Sequence, residues 1–408
     1  MRYVIIGVGA AGMTAAKEIR SRDEDAHITM IAPDEHVHSR CMLHKYLSHE
    51  RDAKGLNFTE EDFFDKYRIV WKKESAQKID VEKQTVLLSS GEETGYDKLL
   101  IASGANSFIP PVGDFRKAKN VFGLRHLKDA KGIDEMAKDA EHILIVGSGL
   151  VGLDAAYGLL EQGKMVSIVE MAPQILPVQL DAHAALEYQK RFEKAGAKFY
   201  LGCKAQEALC TEDGMIRKVT FDTGESVECD MIIVAAGVRP AVEFLDNSKI
   251  AVERGVCVDE YMCTNVPNVY AAGDVAGLSG IWPNAMKQGK TAAQNMCGAL
   301  VKYEDRFAMK NTMNFFGLTT LCLGLIREEE GDVVLWEEDS KNYRRAIVRD
   351  GNVVGILLQG DISNTGIWQY IIKNKVNVGD IGKDLFRLTF ADFYGTGERG
   401  KYVWTYES

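Results

Sequence analysis

The sequence predicts an α/β chain with two similar βαβ units and an α+β region after them. Three observations carry this. The segment Val4-Ile5-Ile6-Gly7-Val8-Gly9-Ala10-Ala11-Gly12 returns as Leu144-Ile145-Val146-Gly147-Ser148-Gly149-Leu150-Val151-Gly152, an offset of 140 residues between Gly7 and Gly147. Each copy runs from a short apolar stretch through G-x-G-x-x-G into an Ala- and Leu-rich helical pattern, Met13 to Arg20 and Leu153 to Glu161, and then into a second apolar run, Ile28 to Ile31 and Val166 to Val169. From about Tyr303 the pattern changes to short β-type runs.

The glycine spacing has a chemical reason. The first glycine permits a tight turn, the second lets backbone approach a pyrophosphate, and the third lets the helix pack on the strand, with the helix N-terminus facing the phosphate charge. The fold class is therefore α/β with two Rossmann-like dinucleotide-binding domains and a C-terminal α+β domain. Gly7, Gly9, Ala10, Ala11 and Gly12 form one candidate cradle; Gly147, Gly149, Leu150, Val151 and Gly152 form the other.

Composition bounds the alternatives. The 408 residues are 46% hydrophobic and carry 59 acids against 49 bases, which excludes a disordered or collagen-like chain. A net charge of −10 without a basic block argues against nucleic-acid binding. No apolar run approaches the roughly 20 residues that span a bilayer, and the first strand runs straight into glycines instead of a signal-peptide pattern. Eight cysteines without a C-x-x-C pair suit reduced thiols in a cytoplasmic protein, and no iron–sulphur or metal spacing is present. The histidines His36, His38, His44 and His49 read as loop and cap residues.

Each unit should end on an acid that accepts from a ribose hydroxyl. Glu170 stands at the end of the second strand of the second unit and is followed by Met171-Ala172-Pro173, with no arginine, which favours NADH over NADPH. In the first unit that position is Ala32, and Asp34 or Glu35 takes the role.

Further segments add a resemblance. Tyr96-Asp97-Lys98-Leu99-Leu100-Ile101-Ala102-Ser103-Gly104-Ala105, Ala235-Ala236-Gly237-Val238-Arg239-Pro240 and Thr264-Asn265-Val266-Pro267-Asn268-Val269-Tyr270-Ala271-Ala272-Gly273-Asp274 stand in order around the two glycine motifs. With them the chain, up to about residue 300, resembles the pyridine nucleotide-disulphide oxidoreductase family. The resemblance implies FAD in the first unit, NAD(H) in the second, and an FAD domain split by an inserted NAD domain. The implied boundaries are 1–112 and 241–302 for the FAD domain, 113–240 for the NAD domain and 303–408 for the C-terminal domain. It also implies contacts to FAD from Ala76, Ala102, Ser103, Gly104, Gly273 and Asp274, and from a helix around Ala285 whose N-terminus faces the flavin ring. Gly237 is implied as a nucleotide contact.

Arg40-Cys41-Met42-Leu43-His44-Lys45 is similar to the R-x-x-L-x-K segment of the branch without a redox disulphide, that of rubredoxin reductases, nitrite reductase flavin domains and apoptosis-inducing factor. There Arg40 would bind FAD, and Lys45 would lie at the flavin N5 edge and pair with an acid matching Asp154, directly or through water. Disulphide reductases of the family need two cysteines near the flavin; here Cys41 stands alone.

In the last hundred residues the runs Thr319 to Leu325, Asp332 to Trp336, Tyr343 to Val348 and Val353 to Leu358 read as strands, and Gly366 to Lys375 as a helix. The aromatics Phe390, Phe393, Tyr394, Tyr402, Trp404 and Tyr406 read as core or as a subunit interface, so oligomerisation through this domain is an expectation.

The expected function is that of a cytoplasmic flavoprotein oxidoreductase. It would pass electrons between NADH and a protein partner, namely rubredoxin, ferredoxin or the iron–sulphur subunit of a larger complex, with the direction open. Two alternatives stand beside it: a reductase of a small thiol, peroxide or sulphur substrate that uses Cys41, and a flavoprotein that binds both nucleotides but turns over poorly.

Overall fold

The computed structural model describes residues 1–304, 310–379, 384–397, 400 and 402–404. They form two compact units, Met1–Val169 with Cys203–Ala308, and Glu170–Gly202 with Met309–Ser408. Among the described residues no helix is long and apolar enough to cross a membrane.

The first unit begins with β1 (Arg2–Ile6), α1 (Ala10–Arg22) and β2 (His27–Ile31). β1 lies at the centre of a five-stranded parallel sheet, between β2 and the strand Lys98–Ile101, with Val269–Ala271 and Ile69–Lys72 at the two edges. Its residues Tyr3 to Ile6 are buried on both faces, which explains why the run reads as continuously apolar instead of alternating. A short helix, α2 (Leu43–Leu47), follows β2.

The second copy is built alike. After α3 (Leu127–Ala137) come β3 (His142–Val146), α4 (Leu150–Glu161) and β4 (Met165–Glu170). β3 pairs in parallel with β4 on one side and with Met231–Val234 on the other, which pairs in turn with Val121–Gly123. Equivalent hydrogen bonds recur across the repeat. The Gly7 amide donates to Ile31 O and the Gly147 amide to Val169 O, both at 2.8 Å. Ala102 donates to Ile6 O and Ala235 to Val146 O, again at 2.8 Å. The strands Ala105–Ser107 and Val238–Pro240 pair antiparallel where the chain passes between the two halves.

The last helix of this unit, α5 (Trp282–Met296), packs along α1. Gly289 makes that approach possible, since a Cβ there would lie 2.2 Å from Ala11 O. A similar contact joins the halves: a Cβ on Gly158 of α4 would stand 2.9 Å from Leu47 Cβ and 3.0 Å from His44 O of α2. Only a glycine lets those two helices touch so closely.

In the second unit five antiparallel strands run in the order Lys310–Phe315, Leu318–Gly324, Asn352–Gln359, Tyr343–Arg349, Val333–Glu338. Four of them match the runs read from the sequence; Lys310–Phe315 was hidden by its polar residues. The helix Thr365–Asn374 falls where expected. The helix Ala182–Lys194, inside the stretch expected as the NAD domain, belongs to this unit: Tyr188 donates to Leu318 O at 2.8 Å, and Gln359 donates to Ala184 O at 3.1 Å. Of the tail aromatics, Phe393 is fully buried while Phe390 and Tyr394 are exposed. The side chains of Tyr402 and Trp404, and all of Tyr406, lie outside the described residues.

Candidate functional site

The two glycine turns set the site. Gly7 holds φ 116° and Gly147 holds φ 105°, a backbone region that disfavours side chains, and a Cβ on Gly7 would lie 2.1 Å from Ala102 O. A Cβ on Gly12 or Gly152 would strike the carbonyl of Gly7 or Gly147 at 2.1 and 2.0 Å. The middle glycines differ. Gly149 has nothing within 4 Å of its Cβ position, and Gly9 meets only the Arg40 guanidinium, at 3.8 Å. Each middle glycine therefore opens space at a helix N-terminus, where unpaired N–H groups and the helix dipole favour an anion.

In the first half this space belongs to a cavity of about 510 Å³. Gly7, Gly9, Ala10 and Ala11 line one end, and Ala102, Ser103 and Gly104 follow the adjacent strand. Asp34, Glu35, Arg40, Cys41, Ala76, Gly273, Asp274 and Ala285 also line it, so most residues expected on the first nucleotide meet at one place. Gly12 lies beneath the turn as a packing residue.

The three acids that line the cavity each stand near a cation, and Lys128 adds a fourth basic residue to the wall. Lys131 pairs with Glu35 at 2.6 Å, Arg125 pairs with Asp274, and Arg40 stands 3.9 Å from Asp34. Burial pushes the Arg40 guanidinium below its usual range, but arginine still remains charged at neutral pH. Its place over the Gly9 turn suits a pyrophosphate.

Sequence reading missed Arg125, His126, Lys128, Lys131 and Trp282, which all line the cavity. The first four flank or begin α3, about 85 residues beyond Arg40, and no local motif marks them. His126 accepts from Arg40 at 3.4 Å, and its pKa is pushed down to about 3 by burial and then by Arg40. His38 accepts from the Leu127 amide at 3.2 Å, and burial and Arg40 lower its pKa too. Both rings are neutral, and His38 helps begin α3, in keeping with a loop and cap role.

The reactive segment differs from expectation. Lys45 is not among the cavity-lining residues, and its ammonium pairs with Glu50 five residues on, not with Asp154. Asp154 on α4 instead has His44 Nδ1 at 3.5 Å. The side chain of Asp is one methylene shorter than that of Glu, and Glu50 offers Lys45 a nearer carboxylate. Burial raises the Asp154 pKa to about 8, opposed by Lys45, and lowers that of His44 to about 4.

Cys41 faces the cavity, and burial raises its pKa. Its thiol stays protonated at neutral pH, and none of the eight cysteines is in a disulphide. In the second half Val151 is exposed at the start of α4, and Gly237 has φ 95° with open space at its Cβ position. Glu170 ends β4, and its carboxylate accepts from the Ala172 amide at 2.9 Å.

Residues 1–289 match the pyridine nucleotide-disulphide oxidoreductase family. The chain belongs to that family. Residues 310–376 match the rubredoxin NAD+ reductase C-terminal domain. A nitrite reductase (NAD(P)H) of Bacillus subtilis (strain 168) is 30% identical over 391 residues, 94% of this chain and 48% of the relative. The chain thus spans about half the length of that protein. The NADH-dependent phenylglyoxylate dehydrogenase subunit epsilon of Aromatoleum evansii is 29% identical over 393 residues, 92% of each chain. Among solved structures, NADH:rubredoxin oxidoreductase from Clostridium acetobutylicum superposes with a TM-score of 0.77 at 26% identity, covering 94% of this chain and 97% of the other.

Proteins of the pyridine nucleotide-disulphide oxidoreductase family bind FAD and NAD(H). Its residues fit both groups: the open Cβ positions at Gly9 and Gly149 are where pyrophosphates need room, and the first cavity offers Arg40, Arg125 and Lys128 to a doubly charged diphosphate. In this family a redox disulphide needs a second thiol beside Cys41, and the described part of the cavity wall contains none.

Proposed function

We propose that this oxidoreductase passes electrons between NADH and an iron–sulphur protein, as an independent reductase or as the flavoprotein subunit of a larger complex. The observation that carries the reading is the solitary, protonated Cys41 on the cavity wall. A chain without a thiol relay there has no store for electrons beyond FAD, so they must leave to another molecule. The match of residues 310–376 to a rubredoxin NAD+ reductase domain supports a protein acceptor. Bound FAD supplies the exchange between a two-electron hydride transfer and single-electron steps. In balance, NADH becomes NAD+ with release of one proton, and two partner molecules each gain one electron; the reverse flow satisfies the same balance.

In this reading Gly7, Gly9, Ala10, Ala11, Arg40 and Arg125 seat the FAD pyrophosphate, Asp34 or Glu35 takes the adenosine ribose, and Ala76 meets the adenine. Ala102, Ser103, Gly104, Gly273, Asp274 and Ala285 contact the rest of FAD. Gly147 through Gly152, Gly237 and Glu170 hold NADH. Lys45 and Asp154 tune the boundary between the halves without forming a pair. The domains are 1–112 with 241–302, 113–240, and 303–408; the last serves contacts with a second copy or a partner, and the protein works in the cytoplasm.

Anaerobic titration of the FAD-loaded protein with NADH, then with NADPH, tests the reading, followed by addition of rubredoxin or a two-iron ferredoxin. Bleaching by NADH and reoxidation by the iron–sulphur protein are expected. Turnover with disulphides or peroxides that exceeds turnover with either iron–sulphur protein would overturn it.

A further inference from the structure

One face of the C-terminal sheet carries a buried polar row. Thr320, Gln359 and Tyr343 stand opposite one another on three adjacent strands, and Arg345 lies two residues beyond Tyr343 on the same face. Their polar groups converge on the start of the helix Ala182–Lys194. The Tyr343 hydroxyl donates to Asp181 Oδ2 at 2.7 Å, and the Arg345 guanidinium stands 3.4 Å from the same oxygen. Gln359 donates to Ala184 O and to Thr320 Oγ1, both at 3.1 Å. Asp181 Oδ1 meanwhile accepts from the Ala184 amide at 2.9 Å and caps the helix. Arg345 also donates to Ile326 O at 2.9 Å and to Glu328 at 2.5 Å. Buried polar groups cost free energy unless they are partnered, and here the partnering holds one turn of chain in a fixed geometry that apolar packing would not demand.

Asp181 ends the loop that begins at Glu170, the acid that closes β4. At the start of this loop the Ala172 amide donates to the Glu170 carboxylate, and Ala172 O accepts from the Gly202 amide, both at 2.9 Å. Further on, Arg327 donates to Pro177 O at 3.2 Å, and Gln174 donates to Leu180 O at 2.9 Å. Ile175, Leu176 and Leu180 are buried. Glu170, the loop and the C-terminal sheet lie in one compact unit. The loop whose first turn orients the Glu170 carboxylate is therefore fixed, at its middle and far end, by Arg327, Tyr343 and Arg345.

We propose that Arg327, Tyr343 and Arg345 of the C-terminal domain are positioning residues for the nucleotide: they hold the loop 171–180 so that Glu170 presents its carboxylate to the adenosine ribose of NADH. The inference rests on the reading of Glu170 as the ribose acid and adds that the C-terminal domain sets nucleotide affinity. These residues act through Pro177, Asp181 and the Ala172 amide. Loosening the loop weakens binding in the ground state and the transition state alike, which raises KM and spares kcat.

The test uses the FAD-loaded full chain with NADH as donor and ferricyanide as acceptor, together with calorimetric titration by NAD+, which binds the oxidised protein without reacting. R327A removes an exposed guanidinium, and Y343F removes one hydroxyl while keeping the ring that packs on His183. Each is expected to raise the KM for NADH and the Kd for NAD+ by about fivefold, the worth of one net hydrogen bond, with kcat changed by less than about twofold. R327K is expected to restore both values. The preference for NADH over NADPH should narrow in step, because it depends on Glu170. E170A is the reference and is expected to raise the same KM and Kd. A rise in E170A without one in R327A or Y343F, even where their melting temperatures fall, would overturn the positioning role alone. Unchanged values in E170A as well would overturn the reading of Glu170 and the positioning role with it.

Discussion

Asp154 Oδ1 stands 3.5 Å from His44 Nδ1 where α4 meets α2, and each residue carries a shift opposite to the other's. Burial pushes Asp154 up to about 8 and His44 down to about 4. At neutral pH the carboxyl is largely protonated and the ring is neutral, so the contact is a neutral one inside the joint between the nucleotide-binding halves.

The signs set a pH prediction. Folded Asp154 binds more protons than the unfolded side chain between about pH 4 and 8, so its share of stability falls as pH rises through that window. Folded His44 binds fewer protons between about pH 4 and 6.5, so its share rises there and offsets the fall. D154N should leave only the rise, and should gain on the order of 1–3 kcal/mol relative to the parent at pH 8.5. Urea unfolding from pH 5 to 9 measures both slopes; a parallel profile for D154N contradicts the assignment.

The two outer glycines of the second motif should fail differently from the middle one. G152A forces a Cβ to 2.0 Å from Gly147 O and should cost roughly 2 kcal/mol or more of stability. G149A has room and φ −70°, so it should fold normally yet raise the KM for NADH at least about tenfold by filling the diphosphate space. Thermal melts alongside NADH kinetics separate the two effects.

R125Q removes the partner of Asp274 and a cation from the cavity wall. FAD affinity of the apoprotein, followed by fluorescence quenching, should fall by about ten- to a hundredfold. Asp274 would then lose the cation it pairs with on the cavity wall.

C41S should change NADH turnover with ferricyanide and with iron–sulphur proteins by less than about twofold, because the thiol is held protonated. Steady-state rates on the two acceptor classes decide this.

E170A should narrow the preference for NADH over NADPH, and an added arginine at Met171 should narrow it further. The ratio of kcat/KM values for the two nucleotides reports it.

The fold was legible because its signal is local. Both glycine turns, both flanking strands and four of the five C-terminal strands announce themselves within about a dozen residues. The cavity was legible where one segment supplies several contacts, as at Gly7 to Ala11 or Ala102 to Gly104. Arg125 and His126 were not, since their role depends on α3 arriving beside Arg40 from elsewhere in the chain. The pairing of Lys45 with Asp154 came from the resemblance alone, and no local signal in the sequence points to Glu50, the carboxylate its ammonium meets in the structure. The helix Ala182–Lys194 falls inside the stretch 113–240, while its aromatic face, with Phe192 and Phe315 centroids 5.3 Å apart, packs on the C-terminal sheet.

Hydride transfer requires reacting atoms about 3–3.5 Å apart, and a misplacement of about 1 Å is costly. At Gly158, where α4 touches α2, the clearance is smaller than a methyl group. That residue acts as a gauge block: it fixes how closely α4 approaches α2, with a tolerance set by one missing carbon. A single added methyl would force α4 and α2 apart, although Gly158 itself does not line the cavity.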